Sequence, residues 1–250
     1  MITKNTIKLI QSLKQAKYRK EHGLFVVEGR KTVEELLNSS FEVTALYATE
    51  DYLGQHEPTS PIVETVNTIQ MEQMSSLETP PGILAVARIP EHGLPITLND
   101  PLTLVLDGIA NPGNMGTIIR TAEWFGIQTI VCSQDCVEIW NPKVIQATMG
   151  SIFRMNVVDT TLEPFLKKTR EEGKAIYGAL LHGENLFQMR KWDNGIVVIG
   201  SESHGIREHL LPYITNPITI PRAPGSITES LNASMATGII LAHWASQIKI

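Results

Sequence analysis

Apolar positions in the first fifteen residues recur every three: Ile7, Ile10 and Leu13, with lysines and amides between them. That spacing is close to the helical period and predicts a basic amphipathic helix over 4–15. The pattern then changes. LFVVEG (24–29) is a short apolar run that predicts a strand, and RKTVEELLNS (30–39) returns to helical spacing. VTALYAT (43–49) and IVETV (62–66) predict strands, TIQMEQMSSL (68–77) a helix, and ILAVARI (83–89) a buried strand. The first part therefore predicts a small α/β unit. Breakers follow at Pro90, Gly93, Pro95, Asn99 and Pro101, and the linker is placed there, separating a domain over 1–97 from one over 98–250.

The second part alternates more strictly. Strands are predicted at 102–107, 129–132, 155–159, 174–181, 195–200 and 216–221. Helices are predicted from about Gly116 to Phe125, over 142–149 and 163–173, and from about Ser230 to the end. Short apolar strands alternating with helices predict an α/β fold with a parallel sheet covered on both faces. Ligands of such sheets bind beyond the carboxyl ends of the strands. Three loops leaving those ends are chemically rich: 107–120, 200–206 and 221–232. No internal repeat or low-complexity tract interrupts the pattern.

Composition changes this picture in one respect. With 42% hydrophobic and 19% charged residues the chain is ordinary globular material, and its net charge is −5. Residues 1–31, however, hold eight basic side chains against two acidic ones, a net of +6 on a body that carries −11 elsewhere. Such asymmetry fits either a phosphate-binding surface or a solvated lysine-rich face. Two cysteines, Cys132 and Cys136, indicate neither a disulfide framework nor a closed zinc site, and a reducing cytoplasm is expected. No run of about 18 apolar residues predicts a membrane helix, and the first twenty residues lack the apolar core of a secretory signal.

The three loops each admit two readings. In DGIANPGNMGTIIRTAEWFGI (107–127), Asn114 can hold a hydroxyl and Arg120 can grip a phosphate with two prongs. Alternatively, Asn-Pro-Gly-Asn is ordinary turn chemistry and Arg120 pairs with Glu123. In VVIGSESHGI (197–206) an apolar strand ends at Gly200, followed by Glu202 and Gly205. The nucleophile elbow Gly-x-Ser-x-Gly lacks its first glycine around Ser203, although a Ser203–Glu229–His243 triad is conceivable in chain order. In ITIPRAPGSITESLNASMATGIILAHWA (218–245), Ser230, Asn232 and Ser234 open an apolar helix. They serve there either as ligand groups or, in the case of Ser230, as a cap.

Together, NPGNMGTIIRTA, IGSESHGI and IPRAPGSITESLNASMATGIIL resemble the three signature motifs of the SpoU/TrmH RNA 2′-O-methyltransferases, in the family's order. NPKVIQATMGSIFRMNV (141–157) is also similar to the family, and KQAKYRKEHGLFVVEG resembles its N-terminal substrate-binding domain. The resemblance implies a C-terminal trefoil knot, S-adenosylmethionine as methyl donor, a homodimer, no metal and no membrane partner. It implies RNA as substrate, ribosomal in preference to transfer RNA, with an inactive RNA-binding relative as the alternative. It implies catalytic or orienting roles for Arg120, Asn114, Glu202, Ser230 and Asn232. Cofactor contacts are implied at Leu180, Leu181, Gly200, Glu202, Ile220 and Leu231. RNA contacts are expected from Lys14, Lys17, Arg19, Lys20 and Arg30. The third motif is a residue or two longer between Pro221 and Ser230 than in many relatives, which bears on the loop's cofactor contacts.

Overall fold

A computed structural model describes residues 2–56, 62–90 and 100–248; the predicted linker lies mostly outside them. The chain forms two compact units, 1–92 with 138–154, and 93–137 with 155–250.

The first unit opens with helices α1 (Lys4–Ser12) and α2 (Ala16–His22). The helix predicted over 4–15 is α1, ending in a turn at Leu13; α2, which the pattern did not mark, starts after Gln15 and closes on Gly23 in the left-handed region. Strand β1 (Leu24–Glu28), helix α3 (Arg30–Leu37), strand β2 (Val43–Thr49) and one helical turn α4 (Glu50–Leu53) follow. Then come β3 (Val63–Val66), α5 (Thr68–Met74) and β4 (Ile83–Arg88). The sheet order is β1-β4-β2-β3, antiparallel except for the β2–β3 pair. Alternation along β1 sorts its faces: Val26 packs with Ile7, Ile10, Leu13, Met71 and Met74. Phe25 points the other way, into an aromatic group.

The second unit begins with β5 (Leu102–Asp107), α6 (Pro112–Trp124) and β6 (Thr129–Ser133). Helix α6 starts four residues earlier than predicted, because the Asn111 side chain accepts the N–H groups of Gly113 and Asn114 and Pro112 takes the first position. The connection after β6 then contributes residues 138–154, with helix α7 (Pro142–Thr148), to the first unit. There Trp140 and Phe153 pack against Phe25 and Phe41, with the Phe25–Trp140 centroids 4.6 Å apart. Arg154 pairs with Glu35, and Gly150 (φ 97°) passes so close that a Cβ would lie 2.6 Å from Glu35 Cγ. A segment placed in the second domain by sequence is thus part of the first unit's core.

The chain resumes with β7 (Asn156–Thr160), α8 (Leu162–Glu171), β8 (Ala175–Asn185), β9 (Gly195–Gly200), β10 (Asn216–Thr219) and α9 (Ala233–Gln247). All six strands are parallel, in the order β10-β8-β9-β5-β6-β7. Every residue of β5 is buried, as expected for a central strand covered on both faces. The chain moves outward from β5 to β7, returns to β8 two places on the other side, and inserts β9 between. The reversal makes β5 and β9 neighbours, with Asp107 level with Gly200; sheets of this kind take their ligands beyond the carboxyl ends of the strands at such a reversal.

Candidate active site

The three loops leave this sheet at the ends of β5, β9 and β10. The first is buttressed by the turn after β6. The Gly108 N–H donates to Ser133 Oγ (2.9 Å), the Ile109 N–H to Cys136 Sγ (3.3 Å), and the Val137 N–H to the Ile109 carbonyl (2.9 Å). The same contacts tune the thiols. Hydrogen bonding from Cys132, then from Ser133 and the Ile109 and Gly108 amides, lowers Cys136 to about 6 against the opposing effect of burial. Cys132, the buried partner in that bond, is pushed well up. Asp135, in the same turn, is lowered chiefly by its bond to Ser133.

The second loop is closed on itself, Ser201 and Gly205 exchanging both backbone hydrogen bonds (3.2 and 2.8 Å). Gly200 must be glycine, since a Cβ there would lie 2.0 Å from the Gly205 carbonyl carbon. In the third loop, Arg222 Nη1 donates to the Thr228 carbonyl (3.0 Å), and just before it Thr219 Oγ1 donates to the Leu181 carbonyl within β8 (3.2 Å). Helix α9 begins three residues later than predicted because Asn232 caps it. Its Oδ1 accepts from Ser234 N (3.0 Å), Ser234 Oγ (2.6 Å) and Met235 N (3.3 Å). Ser230 is not the cap.

The loops meet through three side chains. Asn232 Nδ2 donates to Asn114 Oδ1 at 3.0 Å, and Asn114 Nδ2 donates to Glu202 Oε1. With Asn232 Oδ1 engaged by α9, donation runs in one direction from the helix start to the carboxylate. This fixes both amide orientations. The junction joins residues 88 and 118 positions apart. Two other expected residues stand outside it. Ser230 is exposed. Arg120 is exposed, without a hydrogen-bond or ion-pair partner among the described residues, so the pairing with Glu123 is not formed. Six residues along α6 place it about a third of a turn from Asn114, in a stripe with Thr117 and Trp124. The serine-hydrolase triad is not assembled: Ser203 Oγ bonds its neighbour His204 (2.7 Å), while His243 Nδ1 accepts from Trp192 (3.1 Å).

At the cofactor positions, Leu180 follows Gly178, the last β8 residue paired with β9, opposite Val198. Leu180 and Ile220 are half-buried, and Leu181 and Leu231 expose apolar surface.

In the first unit the expected RNA contacts divide. Lys17 and Lys20 are exposed, three residues apart on α2. Lys14 is exposed while donating to the Ser75 carbonyl (2.6 Å), and Arg30 pairs with Glu34 one turn on (2.8 Å). Arg19 is a correction. It is 1% exposed, donates to the Leu13 carbonyl (2.7 Å) and forks onto both Glu138 oxygens, so it holds the crossover segment and cannot face RNA.

Sequence reading missed Asp107 and Arg207. Arg207 sits beside the buried Asp107 carboxylate, its N–H donating at 2.8 Å. A lone aspartate at a strand end carries no pattern that marks it. Among the described residues there is no cluster of three His, Cys, Asp or Glu side chains placed to hold a metal, and no helix long and apolar enough to cross a membrane.

Comparison with known proteins agrees with this geometry. Residues 101–242 match the SpoU rRNA Methylase family, and residues 4–85 match the MRM3-like substrate binding domain. A TrmH-family protein from Porphyromonas gingivalis is 34% identical with a TM-score of 0.88, covering 98% of each chain. The 23S rRNA (guanosine(2553)-2′-O)-methyltransferase of Bacillus subtilis is 28% identical over 93% of both chains. Mitochondrial rRNA methyltransferase 3 of Xenopus tropicalis is 31% identical over 98% of this chain and 75% of its own. The AdoMet-bound rRNA methyltransferase of Sinorhizobium meliloti is 25% identical with a TM-score of 0.86, over 100% of this chain and 97% of its own.

Proposed function

Because the chain belongs to the SpoU rRNA methylase family, we propose that it transfers a methyl group from S-adenosylmethionine to a ribose 2′-hydroxyl of ribosomal RNA. The observation that carries this reading is the Asn232–Asn114–Glu202 junction, which draws three loops together at the mouth of the sheet. The substrate-binding-domain match over 4–85 and the ribosomal relatives favour ribosomal over transfer RNA.

The strand ends fit the cofactor. Leu181 and Leu231 offer apolar surface, Gly200 offers bare backbone, and Glu202 lies at a polar rim. Apolar walls with a few convergent polar groups suit an adenosine carrying an amino-acid tail. Leu180, Leu181, Gly200, Glu202, Ile220 and Leu231 would hold it. When bound, it supplies a methyl group already activated on a sulfonium.

What remains for the chain is orientation, worth up to roughly 7–11 kcal/mol in the best cases. Glu202 and Asn232 hold the loops in register, and Asn114 and Ser230 orient the ribose or Arg120. The Arg120 guanidinium offers hydrogen-bond donors and no acceptor, so its role is electrostatic: it stabilises the developing alkoxide and grips the adjacent phosphate. Lys17 and Lys20 supply phosphate contacts from the first unit, with lesser ones from Lys14 and Arg30, whose side chains are also engaged within it. The third loop returns from the sheet edge to bond the first, which supports the family's trefoil knot.

The protein works as a homodimer in this reading. Trp124 is 84% exposed beside Arg120 on α6, and Met235 is exposed on α9, the helix packed against α6. Large apolar side chains presented this way mark an interface, and a second copy covering the stripe would enclose Arg120. Two free thiols suit a cytoplasmic location. The test is transfer of labelled methyl from S-adenosylmethionine to ribosomal RNA from a deletion strain, with mapping of the 2′-O-methyl site. Absence of incorporation into any RNA overturns the reading.

A further inference from the structure

The end of β5 carries a carboxylate that none of these roles uses. The Asp107 side chain is fully buried. Its Oδ2 accepts the Arg207 backbone N–H at 2.8 Å, and its Oδ1 lies 2.5 Å from Arg207 Nη2. Asp107 is also the ladder neighbour of Gly200. Both ends of the second loop are therefore tied to one residue: Gly200 through the sheet, and Arg207 through the carboxylate. Glu202 lies between the ties. Farther out, Arg207 Nη1 lies 3.5 Å from Asp135, in the turn that buttresses the first loop.

The pair is a poor device for stability. Arg207 Nε is buried without a hydrogen-bond partner, and Asp107 Oδ1 meets the guanidinium without hydrogen-bond alignment. Incompletely satisfied buried ion pairs gain little over apolar replacements. What the pair does secure is position. A loop closed on itself and anchored at both ends to β5 cannot slide along that strand. Helix α6, which carries Asn114, starts five residues beyond Asp107, at the end of the same strand. The reach from Glu202 to Asn114 is thus measured from a common origin.

We infer that Asp107 is a positioning residue. Through Arg207, it holds the loop that presents Glu202 to Asn114. Its effect on turnover rests on the methyltransferase reading, whereas its effect on the junction does not.

The full chain is compared as wild type, Asp107→Asn, Arg207→Ala, Arg207→Lys, Glu202→Ala and the Asp107→Asn/Glu202→Ala double variant. The first readout is the Asn114 side-chain amide in asparagine-labelled protein, assigned by its loss in Asn114→Ala. Asp107→Asn and Arg207→Ala are expected to move this resonance toward its Glu202→Ala position, and Arg207→Lys to restore it. The second readout is methyl transfer. Asp107→Asn is expected to lower kcat roughly 10- to 100-fold, the scale of a small misplacement near the reacting groups. In the Glu202→Ala background it should add little, because residues acting through one another are not additive. An unmoved Asn114 resonance in both single variants, or losses that multiply in the double variant, overturns the inference. If Asp107→Asn does not fold, Arg207→Ala carries both readouts from a side chain that is 38% exposed. If the wild type transfers no methyl to any RNA, the functional reading fails and the amide resonance still decides the inference.

Discussion

The two units treat their polar side chains in opposite ways. In the first, the basic residues counted from composition are partly consumed by the fold. Arg19 is buried on Glu138, Lys14 bonds a carbonyl and Arg30 pairs along its helix. In the second, Asn114, Glu202 and Asn232 are drawn out of distant loops and bonded to one another at the sheet mouth. Charge counted along a sequence overstates the charge available at a surface. Small polar residues at parallel-strand ends understate their chemistry, because the topology collects them.

The largest expected effect tests the second unit. Among the described residues Arg120 has no partner to lose, so Arg120→Ala should leave folding and S-adenosylmethionine affinity near normal while transfer falls by roughly 100- to 1,000-fold. Arg120→Lys should be nearly as damaging, since lysine cannot reproduce a planar two-pronged grip. Single-turnover assays with labelled cofactor and ribosomal RNA check both. Transfer by Arg120→Ala close to wild type would return Arg120 to the surface stripe it shares with Trp124.

Arg19 tests the first unit. Arg19→Ala strips a 34%-exposed Glu138 of its partner and should destabilise by about 2–3 kcal/mol, below the range for a fully buried pair. Denaturant titration reads this. Loss of RNA affinity without loss of stability would place Arg19 at the RNA after all. The Lys17→Ala/Lys20→Ala double variant should do the reverse: unchanged stability, RNA binding weakened roughly tenfold, and a salt slope smaller by about 1–2.

The smallest effect concerns the turn that joins the contrast to pH. Iodoacetamide should modify Cys136 with a midpoint near pH 6, well below an ordinary thiol, and leave the buried Cys132 slow. A lowered folded-state value means that the thiolate favours the folded chain. That contribution is complete above the ordinary thiol range and is lost as pH falls through about 6. A midpoint above pH 8 would mean that the Ile109 and Cys132 contacts do not form in solution.

Periodicity and breakers were enough to mark the α/β class, the parallel sheet and nearly every strand. Local chemistry carries those signals: apolar runs for buried strands, Asn-Pro for a helix start. The motif residues Asn114, Glu202 and Asn232 were legible because their types and order are unusual together. Tertiary structure alone decided three things. Arg19 is interior because a segment 119 residues away supplies Glu138. Residues 138–154 complete the first unit although they lie between strands of the second sheet. Asp107 ties down the second loop, reaching Arg207 a hundred residues on. Each depends on contacts between residues far apart in the chain. A hydrophobic period reports which face of an element is buried, but not which distant residue buries it.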